Sequence, residues 1–206
     1  MRRAVLTLFI ATLPTLFACD NPGSLQSATN AAHSSRIVTL APNLAELVFA
    51  AGAGDALVGV SAYSDYPPAA EALPLVGDAF TIDQEQLALL RPDLLLAWES
   101  GTPAHVVDEL RHAGYEVEVI RTRSLDDIAA ALVRIGTLAG TKQQALEVAA
   151  EFSAALQALG DAYTDAEPIR VFYQVSSRPL YTVGREHYAS ELIALCRGRN
   201  VFADLG

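Results

Sequence analysis

The chain has 206 residues, 51% of them hydrophobic and 18% charged, the composition of a globular protein long enough for one large or two small domains. Its formal charge of −10 argues against a nucleic-acid partner, because binding a phosphate backbone needs clustered lysine and arginine. Past the amino-terminal region, no stretch is long and apolar enough to span a bilayer.

Residues 1–18 read as a targeting segment outside the fold, with Arg2 and Arg3 as its basic end and Ala4 to Leu13 as its apolar region. Leu16-Phe17-Ala18-Cys19 resembles the lipobox of bacterial lipoproteins, in which the chain is cut before the cysteine and its thiol carries a diacylglycerol. A plain secretory signal with a chance cysteine is the alternative. Asp20, next in line, resembles the signal that retains lipoproteins in the inner membrane of enteric bacteria. Residues 19–35, rich in Ser, Asn, Ala and Gly, read as a flexible tether. If Cys19 is lipidated, Cys196 is left either as a buried free thiol or with a partner beyond residue 206.

Residues 36–140 alternate strand and helix patterns. Arg36 to Leu40 predicts a first strand, followed by a helix capped by Asn43 with Glu46 three residues on. Ala56 to Val60 predicts the second strand and Ser61 to Pro68 a loop; Leu73 to Val76 is a brief extended piece. A helix over Ile82 to Leu90 is ended by Pro92, and the apolar run Asp93 to Ala97 suits a strand covered on both faces. Thr102 and Pro103 are expected to open the next helix as cap and first-turn proline, and Gly114 to close it. Glu116 to Ile120 alternates as a fourth strand. Ser124 with Asp127 caps a helix that reaches about Leu138. Such a series predicts a mostly parallel sheet flanked by helices.

The stretch 141–165 predicts one long helix, with Thr141 and Gln144 as a capping box and Pro168 as its stop. Leu146, Ala149, Phe152, Leu156, Leu159 and Tyr163 fall on one face. Roughly 22 residues at ~1.5 Å each make a rod of about 33 Å, read here as a strut between two α/β lobes. The second lobe begins with a strand over Ile169 to Val175, then another near Leu180 to Val183 and a helix over Tyr188 to Cys196, which His187 opens. Residues 166–206 are too few to bury both faces of a sheet, so this lobe is expected to be incomplete.

In an open α/β sheet ligands bind at the carboxyl ends of the strands. The loops leaving those ends carry Tyr63, Tyr66 and the single tryptophan, Trp98. Aromatic side chains at a crevice suit a large flat ligand, although Tyr66 and Trp98 could instead cover the sheet edge. Signals for catalysis are weak. There is no G-x-G-x-x-G after a strand and no P-loop. Asp65, Asp78, Asp83 and Glu85 are acids of the kind usually solvated in an acidic protein. His105 and His112, seven apart on one helix, lack a third ligand, so no metal site is expected.

Four stretches together, Arg36 to Asn43, Gly59 to Pro68, Arg91 to Trp98 and Gly198 to Asp204, resemble the helical-backbone (class III) periplasmic substrate-binding proteins of ABC importers. Within that family the Tyr-Ser-Asp-Tyr-Pro-Pro loop and Ala97-Trp98 are most similar to the cobalamin (vitamin B12)-binding branch. The resemblance implies an α/β fold of two Rossmann-like lobes joined by a single long helix, and a ligand, cobalamin, held in the cleft. Delivery to an inner-membrane permease and attachment to the membrane through a lipid follow from it. It further implies corrin contacts by Tyr63, Trp98, Phe80 and Tyr181, with Phe80 displaced by about one place from the family's aromatic, and transporter docking through Glu85. Arg197 stands where the family usually has a glycine. A haem- or ferric-siderophore-binding protein of the same fold is the second reading. An α/β enzyme of the chelatase type is the third, disfavoured by the missing catalytic histidine constellation.

Overall fold

Strands β1 (Ile37–Thr39) and β3 (Leu94–Trp98) lie side by side at the centre of a four-stranded parallel sheet, flanked by β2 (Leu57–Gly59) and β4 (Val117–Ile120) in the order β2-β1-β3-β4. The computed structural model describes residues 35–78 and 80–205. The targeting segment, Cys19 and Asp20 lie outside the described residues, as does nearly all of the tether.

Side-chain alternation divides the central strands between two apolar layers. Leu94 and Leu96 face one layer, built with Leu44, Ala45 and Val48 of α1 (Pro42–Ala50) and with Leu132 and Ile135 of α4 (Leu125–Ala139). Leu95 and Ala97 face the other, built with Leu87 of α2 (Gln84–Leu90) and Val106, Val107 and Leu110 of α3 (Ala104–His112). Both faces are therefore dry, as the continuous apolar run predicts. Each fully buried leucine or isoleucine contributes roughly 1.5–3 kcal/mol relative to exposure.

The long helix α5 (Lys142–Ala162) packs on α4. A Cβ added at Gly136 would stand 2.3 Å from the Cβ of Ala145, so a glycine and an alanine let the two backbones approach. Beyond α5 the chain forms a second β-α-β unit. Strand β5 (Ile169–Val171) pairs in parallel with β8 (Gly198–Asn200). Between them lie a small antiparallel hairpin, β6 (Ser176–Ser177) and β7 (Leu180–Tyr181), and the helix α6 (Tyr188–Leu195). Gly198 packs under Ile193 of α6, and Asn200 donates to Ser190 Oγ at 2.8 Å, so the helix covers one face of this strand pair.

Several local expectations are corrected. Asn43 is not the cap of α1. The cap position is Ala41, without a side-chain bond, and Pro42 starts the helix with a donor already missing. Thr102 does not cap α3, because its hydroxyl accepts the backbone N–H of Trp98 at 3.0 Å; Pro103 is the residue flanking that helix. Thr141 forms no capping box, since its hydroxyl donates to the Ala51 carbonyl at 2.7 Å. The long helix itself spans Lys142–Ala162 with Tyr163 as its C-cap, close to the roughly 22 residues expected. Its apolar stripe begins at Ala145, which is buried, whereas Leu146 and Tyr163 are exposed. The strand expected to reach Val175 ends at Val171, and Gly198–Asn200 is a strand that periodicity did not reveal. Ser124 and Asp127 do form the reciprocal capping box, and the His187 ring caps α6 by accepting the Ala189 N–H. Arg197 adopts φ +59°, the left-handed conformation that suits the glycine usual in the family.

Candidate functional site

The connection after β1 runs through α1 on one face of the sheet, and that after β3 through α3 on the other. Adjacent strands whose connections diverge open a crevice at their carboxyl ends, where open α/β sheets bind ligands. Trp98 is the last residue of β3 and stands at that crevice.

Two threonines hold Trp98. Its backbone N–H goes to Thr102 Oγ1, and its indole N–H donates to Thr122 Oγ1 at 2.9 Å. Both threonines are buried. The turn closes when the N–H groups of Gly101 and Thr102 donate to the Trp98 carbonyl at 3.1 and 2.8 Å. Any Cβ at Gly101 would lie 2.2 Å from the indole ring, so only glycine lets this backbone lie against it. The ring packs against the core and also lines the cleft. It is both structural and accessible, and its polar edge is already satisfied.

The cleft measures about 880 Å3 and is lined by Trp98, Thr122 and Arg123 from the sheet side and by Tyr181, His187 and Leu205 among others from the carboxyl-terminal unit. Tyr181, on β7, is 60% exposed, so its ring is available from solvent. Trp98 and Tyr181 thus line one cavity from segments 83 residues apart in sequence. Arg123 also lines it and is held in a two-pronged pair with Glu99, its Nε donating to Oε2 at 2.8 Å and its Nη2 to Oε1 at 2.6 Å. Arg185 pairs with Asp204. Burial holds the His187 imidazole below the ordinary histidine value of 6.5, which keeps the ring uncharged at neutral pH and its Nδ1 free to accept the cap bond.

Tyr63 and Phe80 do not line this cleft. Tyr63 follows β2, two strands from β3, or about 10 Å at the usual strand spacing. It is 84% exposed, with φ +69°, between the buried Ser61 and Ser64, so inward serines and a left-handed backbone turn the ring outward. The loop bearing Phe80, itself 73% exposed, is bound to this one where the Ala62 N–H donates to the Gly77 carbonyl at 2.7 Å. The Asp78 carboxylate accepts the N–H groups of Phe80 and Thr81, in that order the larger causes holding its pKa below the ordinary value. Tyr66 is exposed.

Glu85 is exposed in the first turn of α2, whose cap is the neighbouring Asp83. Two of the acids weighed for catalysis, Asp78 and Asp83, thus serve local backbone geometry. His105 and His112 are exposed on α3, and among the described residues no group of three His, Cys, Asp or Glu side chains is placed to hold a metal ion. Cys196 is half-buried, and among the described residues it has no disulfide partner. Sequence reasoning missed Thr122, Gly101, Arg123 and Glu99, and it took His187 only as a helix opener. The only local signal was the Gly101-Thr102 pair directly after an aromatic strand end.

Among known proteins, the profile of the Periplasmic binding protein family matches residues 37–206. The Vitamin B12-binding protein of Vibrio cholerae serotype O1 is 37% identical over 202 residues, covering 98% of this chain and 69% of the relative. The crystal structure of the periplasmic vitamin B12 binding protein of Vibrio cholerae superposes with a TM-score of 0.75 at 39% identity, covering 83% of this chain and 68% of that one. The periplasmic heme-binding protein of Roseiflexus sp. RS-1, in apo form, does so with a TM-score of 0.73 at 28% identity, covering 84% and 68%. With its doubly covered parallel sheet, its long helix and this extent of similarity, the chain belongs to the periplasmic binding protein family.

Proposed function

We propose that this protein is the substrate-binding component of an ABC importer that captures cobalamin and passes it to an inner-membrane permease. The observation that carries the reading is the shared cleft of Trp98 and Tyr181, two aromatic side chains brought to one cavity from the two sides of α5. Aromatic walls suit a large, flat macrocycle. Tyr63 and Phe80, exposed on neighbouring loops outside this cleft, are kept as proposed ligand contacts on the resemblance alone. The similarity to proteins named for vitamin B12 supports this reading over others in the family.

In this reading residues 36–140 form the first lobe, 141–165 the strut and 166–206 the start of the second lobe. Residues 1–18 are a lipoprotein signal peptide, Cys19 carries the lipid, 19–35 tether the fold to the membrane in the periplasm, and Glu85 meets the transporter. Similarity to heme-binding proteins supports haem as the second reading. Calorimetric titration of the purified protein with cyanocobalamin and with haemin separates them. Saturable one-site binding of cyanocobalamin alone is expected; binding of haemin alone overturns the assignment.

A further inference from the structure

The cleft is lined by charged groups of both signs. Its two cations are Arg123 and Arg185. Glu99 accepts from both Nε and Nη2 on one edge of the Arg123 guanidinium and also accepts from Ser100 Oγ at 3.3 Å; Asp204 pairs with Arg185. Glu186 lines the same wall, and among the described residues no cation stands within ion-pair distance of it. The imidazole of His187 is neutral where it meets the cleft. Among the described residues no lining cation is left unpaired, and with Glu99, which holds Arg123 from outside the lining, these charged groups sum to one negative charge.

We infer that the Glu99–Arg123 and Asp204–Arg185 pairs are specificity elements that reserve the cleft for a macrocycle with an uncharged, amide-bearing edge and reject one bearing carboxylates. This rests on the reading of the cleft as the ligand site and names the charge class of its ligand. A corrin edge carries neutral carboxamides, which take hydrogen bonds without a counter-ion. A haem edge carries a pair of propionates, which would meet arginines whose charge Glu99 and Asp204 already offset, beside a Glu186 that has no cation. Desolvating an unpaired carboxylate beside a like charge is unfavourable, and specificity of this kind works by repulsion as much as by attraction.

The test is calorimetric titration of wild type, Glu99→Gln and Asp204→Asn with cyanocobalamin and with haemin. Wild type is expected to bind cyanocobalamin and not haemin. Each variant frees one guanidinium and is expected to raise the ratio of haemin to cyanocobalamin affinity by about tenfold or more, the usual order for one added charge-assisted hydrogen bond. Melting curves identify a variant that fails to fold, and the other variant then decides. Retained cyanocobalamin binding with no gain for haemin in a folded variant overturns the specificity role alone. Wild type that binds neither ligand, or binds haemin, overturns the reading of the cleft and this inference with it.

Discussion

The Glu191 carboxylate accepts the backbone N–H of Leu125 at 2.8 Å, across 66 residues of chain, and so ties α6 to the start of α4. A negative charge there meets the positive end of the helix dipole, and a charged acceptor makes the stronger bond. Glu191→Ala leaves a part-buried donor without its partner, at an expected cost of about 1–2 kcal/mol. For a chain of this size that lowers Tm by roughly 2–8 °C. Hydrogen exchange at the Leu125 amide is expected to quicken in the variant. An unaltered melting curve together with unaltered exchange would mean that the bond does not join the two elements.

Trp98 is expected to report on two properties at once. Losing ~60–100 Å2 of stacking surface at ~25 cal/mol per Å2 costs a flat ligand roughly 1.5–2.5 kcal/mol, or about ten- to seventy-fold in affinity. Because the same ring packs on the core, Trp98→Ala is also expected to lower Tm. Thr122→Val separates the roles by removing only the acceptor for the indole N–H, with an expected loss of about 1 kcal/mol of stability. Calorimetry and melting curves on both variants measure these quantities. A fall in stability with full ligand affinity in Trp98→Ala would falsify the ligand role.

Thr39 Oγ1 is fully buried and has no hydrogen-bond partner among the described residues. An unsatisfied hydroxyl in an apolar layer is a cost that a methyl group of similar shape removes. Thr39→Val is expected to stabilise the protein by up to about 1 kcal/mol, read as a higher denaturation midpoint with an unchanged slope. A lower midpoint would reveal a bond that the hydroxyl makes in solution.

His187 predicts a pH dependence of stability. Burial lowers its folded pKa below 6.5, so the unfolded chain binds the proton more readily. The contribution is full above about pH 6.5 and declines as pH falls from there towards the folded value. Protonation also turns the Nδ1 acceptor into a donor and removes the cap of α6. His187→Asn keeps a capping oxygen without titrating, and is expected to flatten the decline in Tm from neutral pH into the acid range. Equal slopes in the two proteins would exclude His187 as the source.

Glu85, exposed on α2, is the proposed transporter contact. Charges at an interface rim act mainly on association rate and its salt dependence. Glu85→Arg is therefore expected to slow uptake of the proposed ligand by cells while affinity and Tm of the purified protein stay constant. Weaker ligand binding by the variant would place Glu85 in the binding machinery instead.

Local chemistry made much of the fold legible. The apolar run Leu94–Ala97 announced a doubly covered strand, and it lies at the centre of the sheet between both hydrophobic layers. Ser124 and Asp127 announced a capping box and form one, since both partners lie within one turn of helix. These signals depend on spacing of three or four residues, or on the alternation of a strand, and spacing is present in the sequence itself.

Where a side chain had a choice of partners, only the tertiary structure decided. Thr102 and Thr141 carry the residue type and position of helix caps, yet one hydroxyl serves Trp98 and the other the Ala51 carbonyl, 90 residues away. The stripe of α5 passes through Ala145 rather than Leu146, because Gly136 leaves room for only a methyl group at the crossing. The cleft is of the same kind. Its aromatic residues were visible one at a time, but the meeting of Trp98 with Tyr181 follows from how the chain returns on itself after α5, and the pairing of Arg123 with Glu99 from the side-by-side placement of β3 and β4. A hydrogen bond or ion pair is settled by distance and desolvation in three dimensions, and sequence spacing constrains neither once the partners lie on different elements.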